Sequence, residues 1–189
     1  MLEAAKGKIE LMIELKAAGH ETDLVPQTIE RIQAAGMEEQ CVIVSMDPDL
    51  LRQSKELAPR INTVYITVMA FSEHYDLPCM DGYSVKTGFL TAELVAMLQT
   101  DGKKVYARTA NSDASILKII RMGINGLVTD NPPLAEFFLS DGSKLFSGLS
   151  DRPALSRVRR QVTAVWWMAA GQEGGLTSVG RLAGAQGCV

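Results

Sequence analysis

Histidine, cysteine and long apolar runs are scarce in this chain of 189 residues. The three cysteines, Cys41, Cys79 and Cys188, lack the C-x-x-C or His/Cys spacing of a disulfide framework or a zinc site, so we interpret them as buried thiols. No run of about 18 apolar residues occurs, and the first residues lack the regions of a secretory signal. The sequence leaves localisation open between the cytoplasm and the cell surface. Contact with a membrane would require a segment that is not present here.

Charge of one sign is also lacking, since 19 basic residues stand against 22 acidic ones and give a net charge of −3. This balance excludes a general attraction to nucleic acid or anionic lipid, so any phosphate site must be local. The P-loop, G-x-G-x-x-G, G-x-S-x-G and H-E-x-x-H motifs are absent. The two histidines, His20 and His74, lie in polar, loop-like stretches, and we interpret them as surface residues.

Apolar residues make up 47% of the chain and charged residues 22%, which suits one globular domain or a piece of a larger one. Short runs rich in β-forming residues recur along it. Six strands are predicted, at 8–15, 41–47, 63–69, 81–86, 103–110 and 126–130.

Segments with apolar residues three and four apart lie between most of these strands, as in amphipathic helices. Helices are predicted at 24–35, 49–58, 91–98 and 113–122, with a further helix near 134–139. The alternation of strand and helix predicts parallel strands joined by right-handed crossovers. Six such strands fit either an open doubly wound sheet or three quarters of an eight-stranded barrel, and periodicity does not choose between them.

Polar side chains follow the predicted strands at their carboxyl ends, where parallel α/β folds bind ligands. Asp47 precedes a proline, and Asp130 and Asn131 precede Pro132. Such residues can accept hydrogen bonds from the first N–H groups of the next helix. Paired carboxylates can also do acid and base chemistry, but helix capping explains Asp47 and Asp130 without it.

Four stretches carry a family resemblance: IELK at 13–16, SMD at 45–47, DGYSVKTGFLTAELVAMLQTDGKKVYARTANSD at 81–113 and LKIIRMGINGLVTDNP at 117–132. In this order they resemble the second part of the glycerophosphodiester phosphodiesterase family, over roughly residues 2–139. In that family the corresponding strands end in Glu-Leu-Lys, Ser-Phe-Asp, Trp-Thr-Val-Asn and Gly-Val-Asp-Gly-Ile-Ile-Thr-Asp-x-Pro. The resemblance implies an α/β fold, a TIM-type (β/α) barrel lacking its first two strands, with six parallel strands alternating with helices.

The resemblance also implies an activity in lipid and glycerol metabolism. Members of the family hydrolyse small-molecule glycerophosphodiesters to glycerol 3-phosphate and an alcohol, with a divalent cation such as Mg or Ca. The family's His-Arg pair, Glu-x-Asp carboxylates and following His are absent from this chain, and we expect them upstream of Met1. Two classes of function stay open: a phosphoric diester hydrolase domain that is inactive alone, and a non-catalytic remnant or binding module on a partial barrel.

Three candidate site residues lie at predicted strand ends. Glu14 and Lys16 are two positions apart, so their side chains point to the same face of a strand. By resemblance Glu14 is a metal ligand and Lys16 a catalytic and substrate-binding residue that contacts the phosphate; the residues alone also allow a solvated ion pair. Arg108 stands where the family has a tryptophan. It can bind a substrate phosphate bidentately, or the position is degenerate, and the sequence does not decide.

Residues 1–140 are predicted to form the partial barrel, and residues 141–189 an appended, poorly ordered tail. The tail is rich in serine, glycine and arginine. Its basic cluster comprises Arg152, Arg157, Arg159 and Arg160. Because a barrel closes only when all its strands are present, we expect the first and the last of the six strands to have unpaired edges.

Overall fold

The structure is a computed structural model that describes residues 2–17, 23–67, 79–140, 167–170 and 177–179. The basic cluster of the tail lies outside these residues. The strands are β1 Leu11–Leu15, β2 Cys41–Ser45, β3 Asn62–Thr67, β4 Gly82–Lys86, β5 Lys104–Arg108, β6 Gly126–Leu127, β7 Trp167–Ala170 and β8 Thr177–Val179. The α-helices are α1 Leu2–Ala5, α2 Leu24–Ala35, α3 Pro48–Leu57, α4 Ala92–Thr100, α5 Asp113–Arg121 and α6 Pro132–Ser140, and a short 3-10 helix spans Thr87–Phe89.

The first six strands form a parallel sheet in the order of the sequence. Each of β1 to β5 pairs in parallel with the strand that follows it in the chain. In the chain, α2 precedes β2 and α3 follows it, and α4 precedes β5 and α5 follows it; residues 68–78, between β3 and β4, lie outside the described residues. The predicted α/β fold, with six parallel strands alternating with helices, is confirmed.

The two faces of this sheet bury different side chains, because successive residues of a strand point to opposite faces. One face packs against the helices in a large apolar cluster that includes Ile13, Ile43, Val85 and Val105. The other face carries a small apolar cluster formed by Met12, Val42, Val44, Val64 and Ile66. We call these the outer face and the inner face; in a barrel the inner face lines the interior.

Polar residues at the carboxyl ends of the strands begin the helices. Asp47 accepts a hydrogen bond from the backbone N–H of Asp49 at 2.9 Å, which caps α3 as predicted. Thr91 caps α4 in the same way, and Ser112 caps α5 with a reciprocal bond to Ser115. The loops that follow the strands are therefore fixed close to the sheet edge, where the candidate site residues lie.

The strand predicted at 126–130 is shorter than expected, since β6 ends at Leu127. Val128 still donates to the carbonyl oxygen of Ala107 at 2.8 Å. Two residues later the backbone N–H of Asp130 donates instead to the side chain of Asn111, at 2.9 Å. Side-chain hydrogen bonds thus replace the backbone ladder at the point where the chain turns into α6.

The free edge expected at β1 is a wrong prediction, because β7 pairs with β1 in parallel and β8 pairs with β7 antiparallel. β6 has β5 as its strand partner in the part of the chain that the structure describes. The two tail strands are short, and the remainder of residues 141–189 lies outside the described residues. Among the helices described, none is both long and apolar enough to cross a bilayer.

Candidate functional site

The carboxyl ends of the parallel strands bring the predicted site residues to one edge of the sheet. Glu14 is the next-to-last residue of β1, Lys16 follows that strand, and Arg108 is the last residue of β5. Asp47 follows β2 and Asp130 follows β6 at the same edge. The predicted gathering of these five residues at one edge is confirmed, at the position where barrels of this type bind their ligands.

Glu14 is a buried carboxylate on the inner face. Its neighbours Ile13 and Leu15 pack into the outer cluster, so the strand's alternation turns Glu14 inward. The residue is 5% exposed, and its Oε2 lies 3.2 Å from Nζ of Lys16, whose side chain is mostly exposed. A carboxylate removed from water is costly unless it is paired. The pair is therefore a half-buried feature of the site and not a solvated surface ion pair.

Arg108 reaches from β5 across β4. Its Nη2 donates a hydrogen bond of 3.0 Å to the carbonyl oxygen of Thr67, the last residue of β3. Burial lowers the pKa of Arg108, and the negative charge of Glu14 acts in the opposite direction. The Nε of Arg108 is buried and has no hydrogen-bond partner among the described residues. The guanidinium is thus a partly desolvated cation, anchored at one nitrogen, with a further donor left to satisfy.

Asp47 and Asp130 have structural partners. Asp47 caps α3, as described above. The Oδ2 of Asp130 accepts a hydrogen bond of 2.7 Å from Nδ2 of Asn111, and α6 is capped instead by Asn131, which accepts from the N–H of Leu134. The capping interpretation is confirmed for Asp47 and Asn131, while Asp130 holds the loop after β5.

Two inner-face residues of β4 were not singled out from the sequence. Lys86 ends β4 and lies directly beside Arg108 in the register of β4 with β5. Ser84 is 1% exposed, and its hydroxyl has no hydrogen-bond partner among the described residues. Tyr83 and Val85 pack into the outer cluster. Ser84 and Lys86 alternate with them along β4 and therefore lie on the inner face, as Arg108 does. The same two-residue spacing that singled out Glu14 and Lys16 would have found Ser84 and Lys86.

The described residues do not by themselves form a divalent-cation site. No group of three His, Cys, Asp or Glu side chains within the described ranges could hold a metal ion. Glu14 offers carboxylate oxygens, but Lys16 lies against one of them. Magnesium and calcium prefer several oxygen ligands, so one carboxylate paired with an ammonium fits neither ion. The histidines at 20 and 74 lie outside the described residues.

The geometry agrees with a match to a known family. A model of the glycerophosphoryl diester phosphodiesterase family matches residues 4–134. The chain belongs to this family. The matched region contains all six parallel strands together with Glu14, Lys16 and Arg108.

Individual relatives show the same likeness. A glycerophosphodiester phosphodiesterase of Caldanaerobacter subterraneus is 25% identical over 107 residues, which is 55% of this chain and 44% of that protein. A solved glycerophosphodiester phosphodiesterase of Parabacteroides distasonis superimposes with a TM-score of 0.67 at 18% identity, over 75% of this chain and 63% of that one. A phosphodiesterase of Oleispira antarctica, solved in complex with the product sn-glycerol 3-phosphate, gives a TM-score of 0.60 at 23% identity, over 67% of this chain and 53% of that one.

The solved structures establish the fold, in which the six strands β1 to β6 are successive strands of a TIM-type barrel. The chain spans about half the length of the curated relatives that it matches. A closed barrel leaves no strand edge free, and in this chain β7 pairs in parallel with the edge of β1 that β2 leaves open.

Proposed function

We propose that this chain supplies part of a phosphodiester hydrolase site that acts on glycerophosphodiesters and releases glycerol 3-phosphate and an alcohol. The observation that carries this proposal is the buried Glu14, paired with Lys16 and within electrostatic reach of Arg108, on the inner edge of a family barrel. The known product complex of the Oleispira relative supports the substrate class.

Each of the three residues has a role that follows from its chemistry. A phosphodiester carries negative charge that repels an attacking nucleophile, so cations on the phosphoryl oxygens assist the reaction. In our proposal the exposed ammonium of Lys16 contacts the phosphoryl group and assists catalysis, while the anchored guanidinium of Arg108 binds the substrate through its remaining donors.

Glu14 is proposed as one ligand of a divalent cation, Mg or Ca. Since the described residues alone do not suit such an ion, the other oxygen ligands would come from outside them. The ammonium of Lys16 would then move from the carboxylate to the substrate phosphate, which its exposed position allows. A cation in this place would offset negative charge on the phosphoryl group.

We further propose that the chain hydrolyses no glycerophosphodiester by itself. The sequence has no His-Arg pair, and its one Glu-x-Asp, at 21–23, follows β1 instead of preceding it as the family's motif does; such groups act as a unit in catalysis. The second candidate function is a non-catalytic binding module on the same barrel surface. The ion pair between Glu14 and Lys16 favours it, because the pair neutralises the carboxylate without any metal.

The test is hydrolysis of glycerophosphocholine by the full chain, with Mg or Ca added. We expect no turnover from the chain alone, and metal-dependent turnover once a segment of a relative bearing the three absent motifs is supplied. That segment must displace β7 from the edge of β1. Glu14→Gln should abolish the restored turnover, while Glu30→Gln, at an exposed position of α2, should leave it intact.

Two outcomes would contradict the proposal. Turnover by the chain alone that is lost in Glu14→Gln would show that it is a complete enzyme. Restored turnover that persists in Glu14→Gln would remove Glu14 from the metal site. Circular dichroism of both variants checks that each one is folded.

A further inference from the structure

Two cations lie side by side at the inner edge, and neither forms an ion pair with any residue that the structure describes. Lys86 of β4 and Arg108 of β5 are direct neighbours across parallel strands, and both side chains are on the inner face. Same-face neighbours on adjacent strands are close, and like charges there are unfavourable. The negative charge of Glu14 acts on Arg108, but Glu14 is already paired with Lys16.

Lys86 and Arg108 thus place two positive charges side by side at this edge, in a chain whose net charge is −3. Lys16 is paired with Glu14, and the carboxylates of Asp47 and Asp130 balance the other two cations over the edge as a whole, so the unfavourable term is the local one between Lys86 and Arg108. The carboxylates of Asp47 and Asp130 accept hydrogen bonds from the loops that follow β2 and β5. An anion bound between Lys86 and Arg108 would relieve the repulsion between these two residues.

Hydrogen-bond donors on these strands point to the same kind of ligand. The Nε of Arg108 and the hydroxyl of Ser84 are buried without partners among the described residues. Ser84 precedes Lys86 by two residues and shares its face. A buried donor without a partner is unfavourable, and one that belongs to a cation is best satisfied by an anionic oxygen. An ammonium, a guanidinium N–H and a hydroxyl together suit a phosphate monoester or a carboxylate.

We propose that Ser84, Lys86 and Arg108 form a second anion subsite, and that the alcohol half of the substrate carries its own anionic group. The inference rests on the proposed function, in which the β1 side of the barrel mouth takes the diester phosphoryl group. β4 and β5 lie further along the sheet from β1, and in our proposal the alcohol half of the bound diester extends towards them. An anionic head group is favoured there and a cationic one, such as choline, is repelled.

The experiment is isothermal titration calorimetry of the full chain with a series of ligands that differ in head-group charge. Glycerophosphoinositol 4-phosphate has an anionic head group, glycerophosphoinositol a neutral one and glycerophosphocholine a cationic one. Inorganic phosphate is the fourth ligand, and it detects binding that requires no diester. We expect the 4-phosphate to bind about tenfold or more tightly than glycerophosphoinositol, and glycerophosphocholine to bind most weakly.

Variants assign the preference to the subsite. Lys86→Met should lower the affinity for the 4-phosphate about tenfold and leave that for glycerophosphoinositol unchanged. Lys86→Glu should reverse the order of the charged ligands, because it reverses the charge at this point. Lys118→Met is the matched control, since Lys118 is an exposed lysine of α5. It should change no affinity.

The outcomes separate this inference from the proposed function. Equal affinities for the three diesters, or tighter binding of glycerophosphocholine, would overturn the subsite and leave the proposed function standing. Binding of none of the three diesters would overturn the subsite, while the turnover restored by the added segment decides the proposed function separately. If inorganic phosphate binds and the diesters do not, the proposed substrate class is overturned, even if Lys86→Met weakens the binding of phosphate. A charge preference that survives both Lys86 variants would place the subsite elsewhere.

Discussion

The outer and inner faces of the sheet come from the same strands and differ in how completely their polar groups are paired. Ser45, on the outer face of β2, donates to the carbonyl oxygen of Leu15 and accepts from the N–H of Asp47. Ser84, on the inner face of β4, has no partner among the described residues, and neither does Nε of Arg108. Native proteins pair nearly all buried polar groups, so unpaired ones mark places that serve function more than stability.

The apolar clusters of the two faces also differ, in how many sides of each side chain are packed. The outer cluster combines strand residues with residues of every long helix, whereas the inner cluster consists of strand residues with few partly buried neighbours. A side chain packed between a strand and a helix loses contacts on several sides when it is truncated. The comparison predicts that stability depends mainly on the outer face and ligand binding on the inner face.

The largest effect should come from truncating an outer-face helix residue. Leu51 of α3 is fully buried, and Leu51→Ala removes its packing against the sheet. Such a change lowers the free energy of unfolding by about 2–5 kcal/mol. Urea denaturation of the two proteins measures the difference.

Leu57 of the same helix provides the control, because its side chain is 50% exposed. Leu57→Ala should alter the free energy of unfolding by less than about 0.5 kcal/mol. If Leu51→Ala and Leu57→Ala lower the free energy of unfolding equally, α3 does not pack against the sheet through Leu51.

A pair of valines compares the two faces directly. Val85 of β4 belongs to the outer cluster and Val44 of β2 to the inner cluster, and both are fully buried. Val85→Ala should lower the free energy of unfolding by about 2 kcal/mol, because two buried methyl groups are lost and a cavity remains. Val44→Ala should cost about half as much, because the less constrained inner side can adjust. A larger loss for Val44→Ala in urea denaturation would reverse the comparison.

The sequence predicted the fold well because strand alternation and helix periodicity are local properties. The six strands, their parallel order and the helices between them follow from these patterns. The strand that pairs with the edge of β1 could not be predicted from these patterns. β7 pairs Trp167 with Met12, two residues separated by most of the chain. A contact between residues so distant in sequence leaves no periodic signal.

The site was predicted in part. The spacing of Glu14 and Lys16 and the position of Arg108 at a strand end indicated the inner edge. The sequence could not show that Arg108 bonds to Thr67 two strands away, because that contact depends on the curvature of the sheet. Lys86 was overlooked although the stretch at 81–113 that carries the resemblance contains it, and although its spacing from Ser84 gave the same signal.

The two serines test the difference in hydrogen bonding. Ser45→Ala should lower the free energy of unfolding by about 1–3 kcal/mol, because Leu15 and Asp47 lose a buried partner. Ser84→Ala removes a buried hydroxyl that has no described partner, so it should leave the free energy of unfolding unchanged or raise it by up to about 1–3 kcal/mol. Both residues are 1% exposed, which makes the substitutions comparable. A loss of the same size in Ser84→Ala would mean that its hydroxyl is satisfied within the folded chain.

The smallest effect concerns Cys41, a titratable residue on the outer face of β2. Burial, with a smaller contribution from the negative charge of Glu38, raises the pKa of this thiol from its ordinary value of 9.0 to about 11. In the unfolded chain the thiol ionises near pH 9, while in the folded chain it stays neutral. Its contribution to stability is therefore complete below pH 9 and is lost as the pH rises towards 11.

Cys41→Val removes this titration. Between pH 8 and pH 10 the unsubstituted protein should lose up to about 1 kcal/mol more of its free energy of unfolding than the variant does. Ile43→Val, on the same face of β2, is the control, because it changes packing without changing a titratable group. The free energy of unfolding of Ile43→Val should differ from that of the unsubstituted protein by the same amount at pH 8 and at pH 10. Parallel stability curves for Cys41→Val and the unsubstituted protein would show that the packing of the outer face does not shield the Cys41 thiol from water.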